Sequence, residues 1–400
     1  MNCYDTAVIG SGLAGAATAY ELTKAGQKVV LIDRAGLSSG SSSANTGLLL
    51  YEGGEDEEQL KMCVDGAESY TGLQEELGRE TGFSPLPFLS LFTRESERTA
   101  AERAAAFYTG HGHDYNLLSS EEVRKRDPLI RADEILGGAL FTQWRLDPLK
   151  TVFAFFARAR ELGMDWLPYS PVTGFTSAGG RILAAKTQSG EIHAGQYLVA
   201  AGAWTREILS TLNIRLPQYY IHGAAMVLER GAAQIMDHVS SFFTSPRLAM
   251  ERKASEFICT GGKWENIPEE QANEFLVCSD ANGNLLVAQR SLLSPRMSFR
   301  IPMEFLKDLC RNVIHWYPSF AGIRVIRSWI CPVPFVVDAQ AFLGYVHPFE
   351  NLAVSSGYGS VLIMAPVIGK TGADLLLRRP VLYDIRSWDP NRFEGQDFVK

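Results

Sequence analysis

Residues 4–9 (YDTAVI) are apolar and β-branched and run directly into Gly10-Ser11-Gly12-Leu13-Ala14-Gly15. The small-residue stretch AATAYELTKAG follows to Gly26, and a second apolar run from Lys28 to Ile32 ends at Asp33. Strand, GxGxxG, helix, strand and an acid 23 residues after the first glycine make a βαβ unit of the dinucleotide-binding kind. Each part has a physical reason. Gly10 permits the tight turn, Gly12 lets the backbone approach a pyrophosphate, and Gly15 lets the helix lie close to the strand. The helix N-terminus offers unpaired N–H groups and partial positive charge to the phosphates. Asp33 can accept from ribose hydroxyls and disfavours a 2′-phosphate.

The motif leaves FAD and NAD both open. Three further segments favour a flavin. Ser38 to Gly47 (SSGSSSANTG), rich in small residues and hydroxyls, can wrap a long cofactor. Gln196 to Trp204 (QYLVAAGAW) is an apolar run ending in small residues, suited to the C-terminal edge of a parallel sheet. Asn351 to Gly359 (NLAVSSGYG) repeats that pattern before the helix-like SVLIMAPVIGKTGADLLL. The chain carries one complete GxGxxG, so one dinucleotide, reduced directly by a substrate, is expected.

Composition narrows the classes. The chain has 400 residues, 46% hydrophobic and 21% charged, enough for a large core and unlike a disordered or collagenous chain. A formal net charge of −7 argues against a nucleic-acid partner. Cys3, Cys63, Cys259, Cys278, Cys310 and Cys331 contain no CxxC pair, so no bound metal or iron–sulfur cluster is expected. No run reaches the ~20 apolar residues of a membrane span. Asp5 and no Lys or Arg precedes the apolar Ala7–Tyr20 stretch, so the positive region of a signal peptide is missing and a cytoplasmic location is expected. His111 and His113 lack a surrounding carboxylate–histidine constellation and read as surface residues, and Gly53 to Gln59 as a solvated acidic loop.

In order and spacing these segments resemble the D-amino-acid oxidase superfamily of flavoproteins, which includes glycine oxidase, sarcosine oxidase and opine-oxidase subunits. The resemblance spans essentially the whole chain and is strongest over Gly10–Leu49, Tyr197–Trp204 and Arg327–Leu376. Asp147-Pro148 before LKTVFAFFARARELG, Pro217 to Gly223 (PQYYIHG) and Asn284 to Arg290 (NLLVAQR) match in outline. The implied fold is α/β: a Rossmann-type FAD-binding domain with an interrupting α+β substrate domain built on an antiparallel sheet. The boundaries expected are 1–50, 145–215 and 325–400 for the FAD-binding domain, and 51–144 and 216–324 for the substrate domain.

The resemblance implies FAD held by Gly10, Gly12, Leu13, Ala14, Gly15, Asp33 and Arg34, and by Ser42, Ser43, Asn45, Thr46, Gly47 and Leu48 of the serine-rich loop. It also implies Val172 at the adenine, Ala201, Gly202 and Trp204 beside the cofactor, and Gly357, Tyr358, Gly359, Ser360 and Val361 at the later glycine turn. Cys331 stands seven residues before Asp338, the spacing of the cysteine that carries covalent flavin in sarcosine oxidases. Non-covalent FAD is the expectation and a link at Cys331 the alternative.

The chain departs from the family where the substrate is gripped. The arginine that pairs with a substrate carboxylate in the glycine-oxidase branch falls here on Val333, and Tyr358 stands where a histidine is usual. Arg290, Tyr220 and His222 are the candidates on the substrate side. The implied activity is oxidation of an amino acid or N-substituted amino acid at its α-carbon: hydride passes from Cα to flavin N5 and the imine hydrolyses. The other readings are a flavoprotein subunit of a heteromeric dehydrogenase, with its own or no substrate turnover, whose partner brings a redox relay, 2-hydroxy-acid oxidation at the same C–H, and an NAD-dependent dehydrogenase.

Overall fold

A computed structural model describes residues 3–49, 57–112, 114–131, 133–229, 235, 238–240, 246–279, 283–359 and 361–396. His113, Ser360 and residues 53–56 of the acidic run lie outside the described residues.

The βαβ unit forms as its pattern predicts. Strands Cys3–Ile9 and Val29–Ile32 pair in parallel, joined by the helix Leu13–Lys24. Cys3–Ile9 also pairs in parallel with Gly190–Val199, and that strand with Leu352–Ser356. Val29–Ile32 pairs in parallel with Asp165–Leu167. All four residues of Val29–Ile32 are buried, as both faces of a parallel sheet must be. The antiparallel strand Phe342–Tyr345 closes one edge, and a hairpin of Val172–Ala178 and Arg181–Thr187 extends Gly190–Val199, giving eight strands among the described residues.

Small residues set the first layer of helices. The helix Val361–Leu376 crosses Leu13–Lys24 so closely that a Cβ on Gly369 would lie 2.7 Å from the Ala17 Cβ. These two helices, with Pro148–Glu161 and Glu57–Leu77, cover one face of the sheet in a single apolar core.

The second sheet is mostly antiparallel, with nine strands among the described residues. Its run is Val325–Val336, Gln218–Leu228, Leu285–Ser294, Glu270–Ser279, His238–Ser240, Ser84–Phe92, Gly137–Arg145 and Leu48–Leu49, with Tyr115–Ser119 on Gly137–Arg145. The helix Met303–Trp316 packs on one face through Phe305, Leu309, Val313 and Trp316. Sheet membership and the expected boundaries differ at two points. Leu48–Leu49 and Val325–Val336 both pair in this second sheet, through backbone hydrogen bonds to Gly137–Arg145 and Gln218–Leu228.

Candidate functional site

Four parallel strands end at one place. Gly10 follows Ile9, Asp33 follows Ile32, Ala200–Gly202 follow Val199 and Gly357 follows Ser356. This carboxyl edge, where α/β sheets bind ligands, opens into a cavity of about 670 Å³ that runs on to the second sheet.

The glycines differ in what they do. Gly10 has φ +111°, and a Cβ there would lie 2.3 Å from the Ala200 carbonyl oxygen. A Cβ on Gly15 would lie 1.9 Å from the Gly10 oxygen, so Gly15 serves helix–strand approach and does not line the cavity. Gly12 has an ordinary φ of −73° and lines the cavity with Leu13 and Ala14 at the helix N-terminus. Asp33 and Arg34 line it as well, but both Asp33 oxygens are already engaged. Its Oδ2 accepts from the Ser11 N–H (2.8 Å) and hydroxyl (2.7 Å), and its Oδ1 from the Ala35 N–H (2.9 Å) and the Ser39 hydroxyl (3.4 Å). The acid thus also ties the first turn to the following loop, a role Ser11 shares that the motif did not single out.

The serine-rich loop bridges the two sheets. Ser42 Oγ accepts the Leu13 N–H at 3.1 Å, Ser41 Oγ donates to the Pro332 carbonyl at 2.6 Å, and Trp329 Nε1 donates to the Ala44 carbonyl at 2.9 Å. Ser42, Asn45, Thr46 and Leu48 line the cavity. Ser43 donates to the Gly40 carbonyl, and Gly47, at φ +84°, lies against the Leu146 carbonyl; both build the loop itself.

Val172, Ala201, Gly202 and Trp204 line the same wall. The Arg34 guanidinium lies 4.5 Å from the Trp204 ring centroid, and the Phe299 ring stacks on Trp204 at 5.6 Å. Gly357, Tyr358, Gly359 and Val361 line the far end. The buried Tyr358 hydroxyl shares a 2.9 Å hydrogen bond with Ser355 Oγ, and burial raises its pKa.

The second sheet contributes Ile221, Gly223, Leu276, Gln289, Val333, Pro334 and Phe335, and the helix Pro246–Cys259 contributes Arg247. The three catalytic candidates lie elsewhere. Arg290 faces the helix Met303–Trp316: its Nε donates to Asp308 at 3.1 Å, its Nη2 to Gln271 at 2.8 Å, and it lies over the Phe305 ring. Its neighbour Gln289 points to the cavity, so strand alternation separates the two. The buried Tyr220 hydroxyl donates to the Ala203 carbonyl at 3.0 Å, and burial raises its pKa. His222, fully buried, lies between the Leu292 carbonyl and the Ser298 N–H. Cys331 is buried in register with Gly223, outside the cavity lining. Burial pushes its thiol up to about 11, against the thiolate that covalent chemistry needs. Arg247 was missed because a single arginine in a helix carries no motif. Gln289 was within reach of the alternation in NLLVAQR.

Among the described residues no three His, Cys, Asp or Glu side chains come together as a metal site, and no helix is long and apolar enough to cross a membrane.

Comparison with known proteins adds an independent line. A family model, "FAD dependent oxidoreductase" (DAO), matches residues 5–375. The chain is 24% identical over 401 residues to dimethylglycine dehydrogenase, mitochondrial, of Homo sapiens, covering 97% of this chain and 44% of that protein. It therefore spans less than half the length of that relative. It is 24% identical over 406 residues to sarcosine oxidase subunit beta of Rhizobium meliloti, covering 98% of this chain and 88% of that one. With glycine oxidase of Geobacillus kaustophilus it shares 23% identity over 405 residues and 98% of each chain. The crystal structure of that glycine oxidase superposes with a TM-score of 0.83 at 19% identity, over 98% of this chain and 99% of the other, a likeness of fold.

Proposed function

Since the chain belongs to the DAO family of FAD-dependent oxidoreductases, we propose that it oxidises an amino acid or N-substituted amino acid at its α-carbon. The observation that carries this reading is one continuous cavity. It runs from a glycine cradle at the carboxyl edge of the parallel sheet to an apolar face of the second sheet.

The residues present fit FAD. The N–H groups at Gly12 and Ala14 would meet the pyrophosphate beside the Ser42 hydroxyl that holds the Leu13 N–H, and a Cβ at Gly12 would intrude on that approach. Asp33, Arg34 and Val172 would hold the adenosine portion. Ser42, Asn45, Thr46, Leu48, Ala201, Gly202 and Trp204 would hold the middle, and Gly357, Tyr358, Gly359 and Val361 the ring end. When bound, FAD supplies the acceptor for a two-electron oxidation. The apolar Ile221, Leu276, Val333, Pro334 and Phe335 exclude water from the substrate.

No base is at hand at that end among the described residues. Arg247 stays protonated, Gln289 is neutral, and the Tyr358 hydroxyl is shifted upward by burial. On this reading the substrate amine binds deprotonated, so that no protein base is needed. Anaerobic mixing of the FAD-loaded protein with glycine, N-methylglycine and N,N-dimethylglycine tests the reading: bleaching of the flavin band supports it. Bleaching by 2-hydroxy acids alone would replace it.

Kinship with a sarcosine oxidase subunit supports a second element of the proposal, that a partner chain takes up the electrons. Slow reoxidation of the reduced protein in air is the expected sign, and rapid peroxide formation would argue against a partner.

A further inference from the structure

We propose that Gln289 reads the substrate nitrogen. Its side-chain Oε1 accepts an N–H, so primary and secondary amines are taken and tertiary amines are turned away; this rests on the amine-oxidation reading above. Gln289 lies on the strand Leu285–Ser294 and lines the cavity, whereas Ala288 and Arg290 on either side of it do not. The strand pairing shows why. Ala224 pairs with Arg290 and Ala225 with Ala288, so Gln289 has no partner on Gln218–Leu228. On the other side Asn273 pairs with Arg290 and Leu276 with Ala288, and Gln289 is again passed over. It is the extra residue of a β-bulge, the device by which a sheet re-aims one side chain, often beside an active site.

The amide is anchored at one end. Its Nε2 donates to Ser291 Oγ at 2.7 Å, and Ser291 is fully buried and does not line the cavity. The nitrogen end is therefore turned into the sheet and the oxygen end is left for the cavity. A Cβ on Gly223 would lie 3.5 Å from Gln289 Cδ and 3.6 Å from its Oε1, so the amide rests against bare backbone that also lines the cavity. An amide oxygen accepts and cannot donate. Ile221, Val333 and Phe335 make the surroundings apolar, where an acceptor covered without a donor is costly. A neutral tertiary amine has no N–H and would bring a carbon substituent to that oxygen. A neutral secondary amine gives its N–H to Oε1 and keeps its lone pair for the oxidation. A carboxylate at this position would favour the charged ammonium; a neutral amide does not.

The test titrates the FAD-loaded full chain with pyrrole-2-carboxylate and furan-2-carboxylate, read by the flavin absorbance shift and by calorimetry. These planar acids are alike in size and differ in an N–H or an oxygen at one ring position. The parent is expected to bind the pyrrole acid roughly 10-fold more tightly or better. Gln289→Met removes the acceptor at similar length and should bring the two affinities together. Ser291→Ala leaves the amide able to present either end and should narrow the difference with FAD retained, a change that a merely structural Gln289 would not produce. That variant carries the test should Gln289→Met fail to hold FAD. The proposal is overturned if neither acid binds the parent, if the furan acid binds it as tightly as the pyrrole acid, or if the difference survives undiminished in the variants. Anaerobic flavin bleaching should likewise be faster with N-methylglycine than with N,N-dimethylglycine in the parent, and the gap should narrow in Gln289→Met. Bleaching by amines without any preference for the pyrrole acid leaves the reaction standing and sinks this assignment. A pyrrole preference that depends on Gln289, with no bleaching by any amine, does the reverse.

Discussion

His222 accepts the backbone N–H of Ser298 through Nε2 at 3.0 Å, while its Nδ1 lies 3.1 Å from the Leu292 carbonyl. Only the neutral ring with its proton on Nδ1 satisfies both contacts. The next residue, Phe299, stacks on Trp204, which lines the cavity. A buried histidine thus secures the segment that backs the cavity wall, acting through packing.

Protonation would turn that acceptor into a donor facing an N–H. Burial lowers the folded pKa of His222, against smaller raising effects of the Leu292 carbonyl and Glu269. The unfolded ring binds a proton first, so this contribution to stability is complete above about pH 6.5 and declines as pH falls from there toward the lowered folded value. His222→Gln, whose amide can accept from Ser298 and donate to Leu292 without titrating, should flatten that decline. Urea unfolding midpoints of parent and variant between pH 7.5 and 5 check it; parallel curves would remove the role.

Gly10→Ala and Gly12→Ala should separate fold from ligand. Alanine at Gly10 must adopt a left-handed φ and meet a carbonyl oxygen, a change expected to cost about 3 kcal/mol or more. Alanine at Gly12 meets only Ser42 Oγ, at 2.9 Å, an atom that can rotate. That variant should melt near the parent temperature yet hold FAD roughly 10-fold more weakly, because the added methyl stands in the way of the ligand's approach to the turn. Thermal melts beside FAD titrations by fluorescence quenching give both readings.

Asp33→Asn should act on both properties at once. An amide nitrogen at either oxygen position would face N–H or hydroxyl donors from Ser11, Ala35 or Ser39. The expected cost is about 1–3 kcal/mol of unfolding free energy, measured in urea, with weaker FAD retention. Unchanged stability would mean the loop finds other partners.

Cys331→Ala should leave FAD binding and its release unchanged. The thiol is buried in a strand and its pKa is raised, so acid precipitation should free the flavin from parent and variant alike. Colour retained in the parent pellet and lost in the variant would establish the covalent alternative.

The amino-acid sequence by itself determined the dinucleotide unit. Cys3–Ile9, the glycine turn, Leu13–Lys24, Val29–Ile32 and Asp33 are contiguous, and their signals are local: β-branched runs, small residues, a φ that favours glycine and an acid at a set distance. The small-residue ends at Ala201-Gly202 and Gly357 were legible for the same reason. What only the tertiary structure decided is which side chains reach the cavity at the second sheet. Gln289 faces it and Arg290 faces Asp308; the pairing of Gln218–Leu228 with Leu285–Ser294 is irregular between Ala224 and Ala225, beside these two residues. Arg247 arrives on a helix whose position depends on the strand it packs against. His222 is held by Leu292 and Ser298, 70 and 76 residues away in the chain. Such facing is set by long-range strand pairing and helix docking, and a shift of one residue reverses it. A local pattern of residue types therefore carries the glycine turn at the sheet edge and leaves the side chains that line the second-sheet end of the cavity to the packed fold.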